Sequence, residues 1–116
     1  LNGTWKLDYY LDMVTGQTEL DPQPESRGVI YTFSGDQTKG KIDGHTVVNT
    51  IAGTYDIGTD CAFKINVFGG TKVNEPAWSR KAWFAPDRYY LFEIAGDKLS
   101  IKPDNSQELM VFKRVK

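Results

Sequence analysis

His45 is the one histidine of this 116-residue chain and Cys61 its one cysteine. His45 sits in Asp43-Gly44-His45-Thr46, with Asp43 two residues away and Ser34 or Thr46 as conceivable nucleophiles. A triad needs nucleophile, base and orienter within mutual hydrogen-bond reach. A lone histidine beside a turn reads instead as an exposed side chain. Cys61 opens "CAFKINVF" and shares a strand face with Phe63, Ile65 and Val67, so it reads as a small buried hydrophobe. A reactive thiol would want a neighbouring cation and access. One Cys and one His fall short of a zinc ligand set. The carboxylates Asp56, Asp60, Asp87 and Glu93 are scattered; a glycosidase pair among them would need a cleft. "DNSQE", residues 104–108, lacks the spaced oxygens and glycine of a calcium loop. The reading assigns no catalytic residue, no metal ligand and no cofactor, and expects no enzyme.

Binding chemistry is more plausible than catalysis. In "VVNTIAGTYDIG", Asn49, Gly53 and Tyr55 have a spacing that could hold a ligand or turn a corner into a strand. The corner reading is preferred. Asn49 can tie down backbone with its donor and acceptor, and Gly53 permits a close strand approach. Tyr55 then enters the core with a hydroxyl in need of a partner. Trp5 and Arg114 could line a ligand mouth; the preferred reading is that they plug one end of a barrel by cation–π stacking, worth about 0.5–2 kcal/mol. In the aromatic cluster on the expected helix, Trp78, Trp83 and Phe84 cannot share one face, because residues five apart diverge by about 140°. At least one of Trp83 and Phe84 is then exposed, which makes Trp83, Phe84 and Tyr89 the candidates for contact with a ligand or partner; the preferred reading is that all of these rings close the bottom of the barrel.

The elements that must position these residues follow a period near two. "TWKLDYYLD" alternates Trp5, Leu7, Tyr9 and Leu11 with Thr4, Lys6, Asp8 and Tyr10. "VIYTFS" places Tyr31 and Phe33 on one side, "KGKID" carries Ile42, and "GTYDIG" pairs Tyr55 with Ile57. Asp43-Gly44 is a hairpin-turn signal. "RYYLFEI", "KLSIK" and "ELMVFKRV" read as three closing strands, separated by turns at Ala95-Gly96-Asp97 and Pro103–Ser106. Asn74 as N-cap, Glu75 and Pro76 in a first turn, and Pro86 as terminator predict a helix over about 74–85. Residues 12–28 are polar, hold Pro22 and Pro24, and read as a long loop that could be a lid or cover a sheet edge. The expected fold is all-β: a small antiparallel barrel or strongly coiled sheet of seven or eight strands with one short helix, a single domain over 1–116.

Composition bounds the partners. Fourteen basic against fifteen acidic residues leave a net charge of −1, which argues against phosphate-driven nucleic-acid binding. No stretch approaches the ~18 apolar residues of a membrane span. A chain that opens at Leu1 rather than Met is read as processed, with a targeting segment and a possible lipid anchor upstream of it. The expected partner is an envelope protein or a small molecule.

The order of small motifs resembles the META domain typified by HslJ-type heat-shock lipoproteins of the bacterial envelope. Gly3-Thr4-Trp5 and Leu7 come first, then Phe33, Gly35 and Gly40, then Asn49, Gly53 and Tyr55. Thr71 precedes the helix; Tyr90, Ile94, Gly96-Asp97, Leu99, Phe112 and Arg114 close the chain. The resemblance implies a small β fold exported to the periplasm or anchored at the outer membrane, with a structural, stress-related or interaction role and no catalytic residues. Val48 and Asn74-Glu75 stand where many META domains carry cysteines, so no redox feature is transferred. Gly3-x-Trp5 with the late Arg114 is also similar to the lipocalin signature, which implies a hollow barrel for a small hydrophobic molecule or sugar. Trp5, Tyr31, Phe33, Tyr55, Phe63, Phe92 and Phe112 are large for the inside of a narrow barrel and favour the filled, META-like reading.

Overall fold

The computed structural model describes residues 1–115. Nine antiparallel strands form one sheet, in the order β2-β1-β3-β4-β5-β6-β7-β8-β9, and β1 pairs again with β9 to close the ring. The strands are β1 (Gly3–Asp12), β2 (Thr18–Leu20), β3 (Ile30–Gly35), β4 (Lys39–His45), β5 (Thr50–Ile57), β6 (Ala62–Gly70), β7 (Tyr89–Ala95), β8 (Lys98–Pro103) and β9 (Glu108–Arg114). Closure leaves few unpaired strand edges. Among the described residues no helix is long and apolar enough to cross a membrane.

The ninth strand is the one the sequence did not announce. β2 lies inside the polar 12–28 segment and pairs Thr18–Leu20 with Leu11–Tyr9. It covers the stretch of β1 that β3 leaves bare, because β3 pairs only with Gly3–Lys6. Its three residues are all exposed, so no apolar alternation marks it. Side chains hold it down instead. Trp78 Nε1 donates to Glu19 O at 3.1 Å, and Lys81 Nζ reaches Glu19 Oε1 at 2.8 Å and Glu108 Oε2 at 2.9 Å.

Two bulges shift which residues face inward. In β1 the register with β9 slips between Leu7 and Tyr9. Tyr10, not Tyr9, is consequently buried, and its hydroxyl donates to Trp78 O. In β6 Tyr55 pairs with Ile65 but Thr54 pairs with Val67, so Asn66 is an extra residue. Phe63 and Ile65 point into the core, while Val67 is 62% exposed, contrary to the even alternation. Cys61 is also displaced from the expected face. It lies before β6 with φ +57 and is exposed. Asp60 and Cys61 share that left-handed backbone, and Gly58 N donates to Ala62 O at 2.8 Å to close the connection. The turn geometry thus outranks the thiol's affinity for the core.

Asp43-Gly44 is not a hairpin turn; both residues lie within β4, opposite Ala52 and Ile51. The β4–β5 reversal is at residues 46–49, closed by Thr46 N to Asn49 O at 2.8 Å. The helix is much shorter than residues 74–85: α1 is Ala77–Arg80, and Pro76, not Asn74, occupies its N-cap position. After Arg80 the bonding tightens to the i−3 type, with Ala82 N on Ser79 O and Trp83 N on Arg80 O, both at 3.1 Å. This tight turn drives Phe84 into the barrel end.

The interior is filled with rings. Phe33, Tyr55 and Phe63 form a triangle with centroids 5.7 to 6.2 Å apart. Phe84 touches Tyr31, Phe33, Phe63, Phe68 and Tyr90, the last at 4.8 Å. At the other end Trp5 is fully buried, and the Arg114 guanidinium lies 4.2 Å from its ring centroid. Gly3 makes that stacking possible, since a Cβ there would stand 2.7 Å from Arg114 Nη1.

The exposure of Cys61 is directly measurable. Alkylation of the folded protein is expected at a rate close to that of the urea-unfolded chain, and strong protection would place the thiol inside after all.

Candidate functional site

Among the described residues, the one ionisable side chain buried within the barrel-end polar cluster is Glu75, which is 8% exposed. It stands before Pro76, and a residue before proline is held extended rather than helical. That conformation turns its carboxylate back toward the 46–49 turn. Oε1 accepts from Thr46 Oγ1 at 2.7 Å, Trp83 Nε1 at 2.8 Å and Asn49 Nδ2 at 3.0 Å. Oε2 accepts from Ser79 Oγ at 2.7 Å and Val48 N at 3.4 Å. Burial pushes the Glu75 carboxyl up, but the hydrogen bonds from Thr46, Asn49, Ser79 and Trp83 outweigh it and hold the pKa down at about 2. The carboxylate is ionised and its lone pairs are taken, a state suited to tying segments together and not to passing protons near neutral pH.

Asn49 completes the knot. Besides Glu75, its Nδ2 donates to Val73 O at 2.9 Å, and its Oδ1 accepts from Thr71 Oγ1 at 2.7 Å and Val73 N at 2.8 Å. All four bonding directions of the amide are used. Arg27 caps the same turn, with Nε 3.0 Å from Thr46 O and Val47 O, and Nη2 3.1 Å from Asn49 O. Asn49 is therefore the corner residue that the sequence suggested. Gly53 is the close approach: a Cβ there would meet Val67 O at 2.5 Å.

The three aromatic contact candidates separate. Phe84 is buried at 3% exposure and belongs to the core, so it is removed from the set of contact residues. Trp83 is half-buried, its Nε1 spent on Glu75, its ring edge-on to Phe68 at 5.6 Å, with Lys72 Nζ 5.9 Å above it. Tyr89 is 48% exposed on β7. Trp83 walls a recess of about 260 Å³ together with Lys72, Arg80 and Glu75, and Tyr89 does not reach it.

A larger groove, about 660 Å³, lies at the β3–β4 hairpin, with Tyr55, Gly35 and Gly40 among its walls. A second of about 350 Å³ shares Asp36 and Tyr55 with it. Sequence reasoning placed Tyr55 in the core and missed this opening. The hairpin is pinned by Asn2, whose Nδ2 donates to Gly35 O at 3.0 Å and whose Oδ1 accepts from Gly35 N at 3.1 Å.

His45 faces carbonyls. Its Nδ1 is 3.2 Å from Gly28 O and 3.1 Å from Thr46 O. Asp56, Asp60, Asp87 and Glu93 are all exposed. Among the described residues, no group of three His, Cys, Asp or Glu side chains is placed to hold a metal ion.

No family model matches the chain, and no curated protein matches it. Solved structures do. A protein from Burkholderia xenovorans solved by NMR is similar over 99% of this chain and 83% of its own, with TM-score 0.68 and 17% identity. A DUF4847 family protein from Bacteroides vulgatus is similar over 99% of this chain and 94% of its own, with TM-score 0.64 and 21% identity. At these identities the likeness shows the fold alone.

Removing the Glu75 carboxylate leaves Thr46, Asn49, Ser79 and Trp83 donors buried without an acceptor. Glu75→Ala is expected to cost about 3 kcal/mol in urea unfolding at pH 7. Because the folded pKa is depressed, the stabilisation is present above the unfolded carboxyl's value and is lost as pH falls toward about 2. The loss on mutation should therefore shrink at low pH; a loss independent of pH would mean that the charge contributes nothing.

Proposed function

We propose that this chain is a non-enzymatic interaction module of the bacterial cell envelope that acts from its surface. The observation that carries the reading is the aromatic fill: Phe33, Tyr55, Phe63, Phe84 and Tyr90 occupy the space a hollow barrel would offer a ligand. The polar groups at the barrel end bond to one another, and Glu75 is saturated although it borders the 260 Å³ recess. The collinear motifs from Gly3-Thr4-Trp5 to Arg114 support the envelope assignment by resemblance to the META domain. A lipocalin-like carrier of small apolar molecules needs an interior chamber, and the packed rings weigh against it.

Native mass spectrometry of freshly purified protein, together with fractionation of the source cells, tests this. The expected result is a mass equal to the chain alone and recovery in the envelope fraction. A stoichiometric apolar molecule retained with the protein would overturn the filled-core reading in favour of the carrier.

A further inference from the structure

Four tyrosines are buried: Tyr10, Tyr31, Tyr55 and Tyr90. Three have hydroxyl partners on the backbone. Tyr10 donates to Trp78 O, Tyr31 donates to Ala82 O at 2.7 Å, and Tyr90 accepts from Ala85 N at 2.8 Å. Tyr55 is 1% exposed as a residue and its hydroxyl has no protein partner; since no buried side-chain polar atom among the described residues lacks a partner, that oxygen reaches solvent at the groove. A ring that is buried while its hydroxyl tip stays in contact with solvent presents that hydroxyl to whatever occupies the groove.

The direction of that hydroxyl is fixed by Gly40, the cross-strand partner of Tyr55. A Cβ on Gly40 would lie 2.3 Å from Tyr55 Oη and 2.5 Å from Cζ, so the phenol passes directly over a glycine that walls the 660 Å³ groove. Tyr55 also walls the adjoining 350 Å³ recess. The volume is that of a small-molecule site, for which about 300–1,000 Å³ is usual.

We infer that this groove is a binding site for an uncharged saccharide, with the Tyr55 hydroxyl as its innermost hydrogen-bond donor. The charge around it balances, Lys39 and Lys41 against Asp36 and Asp56, which selects neither an anion nor a cation. Thr54 and Asn66 add neutral groups that donate and accept. Sugar hydroxyls, which do both, match that mixture. Asp36 Oδ1 is already held by Thr38 N at 2.7 Å, Thr38 Oγ1 at 2.8 Å and Lys39 N at 3.0 Å, so this wall of the groove is formed before any ligand arrives. Burial, and then the nearby Asp36 charge, push the Tyr55 hydroxyl above its usual value, which keeps it a donor. Tyr55 presents its hydroxyl and not a stacking face, and the expected affinity is weak, on the order of 1 mM.

The ligand lies outside the core, so the inference deepens the surface-acting reading and rests on it. The test is a titration of the isotopically labelled protein with maltose and with N,N′-diacetylchitobiose up to about 50 mM, and separately with citrate, following amide shifts. Shifts at Gly35, Lys39–Lys41, Thr54–Asp56 and Asn66 with either saccharide are expected. Tyr55→Phe, which loses no internal hydrogen bond, should keep the wild-type melting temperature and weaken binding about tenfold. Lys41→Gln, on the exposed rim, provides a second variant and should weaken it less. No groove shift with either saccharide overturns the site. Groove shifts with citrate alone overturn the ligand class, and equal affinity in Tyr55→Phe overturns the role of the hydroxyl. Shifts centred on Phe33, Phe63 and Phe84 would instead overturn the filled-core reading, which separates the two failures.

Discussion

The insertion of Phe84 into the end of the barrel is the constraint on which the remaining structure depends. A closed ring of short strands leaves an internal space that must be filled by side chains or by a ligand. Phe84 fills it from outside the sheet, on a segment that is neither strand nor helix at that point, and meets five other rings. Aromatic contacts of this edge-on kind add to the area they bury, so the plug is favourable as well as space-filling. The tight turn after α1 brings Phe84 to this position, and that turn needs a fixed anchor.

Glu75 is the anchor. Its carboxylate gathers the 46–49 turn, the start of α1 and the Trp83 indole around one charge. A buried charge without a cation is costly, and here donors offset the cost. The chain thereby couples a hairpin at one side of the barrel to the segment that closes its end. Lys81, which bridges Glu19 and Glu108, performs a weaker version of the same task on the exposed side, where solvent screening reduces its worth.

The strands were legible because the period-two pattern is enforced by burial, and Tyr31, Phe33, Ile42, Phe63, Leu99 and Phe112 all fall inside as that pattern requires. What failed has identifiable causes. Bulges in β1 and β6 are set by cross-strand register and change which of Tyr9 and Tyr10, or of Val67 and Phe68, turns inward. β2 is held by side chains distant in sequence and carries no local signal. α1 is shorter than residues 74–85 because Pro76 disfavours the helical conformation at Glu75, which removes Asn74 as an N-cap. For the sites, Asn49, Gly53, Trp5 and Arg114 could be placed from residue chemistry alone. The Glu75 knot joins residues 46, 49, 75, 79 and 83, and the groove at the Tyr55 hydroxyl is lined from β3, β4, β5 and β6, so neither is visible before the chain is folded.

A filled interior makes a sharp demand on solution behaviour, and benzene is the direct probe because it enters apolar cavities of ring size. The melting temperature of the wild-type protein should not change in saturating benzene. Phe84→Ala should lose about 3–5 kcal/mol of stability and regain part of it when benzene occupies the vacated space. A benzene-induced rise in the melting temperature of the wild type, or a Phe84→Ala variant as stable as its parent, would show that the barrel is not closed by this ring.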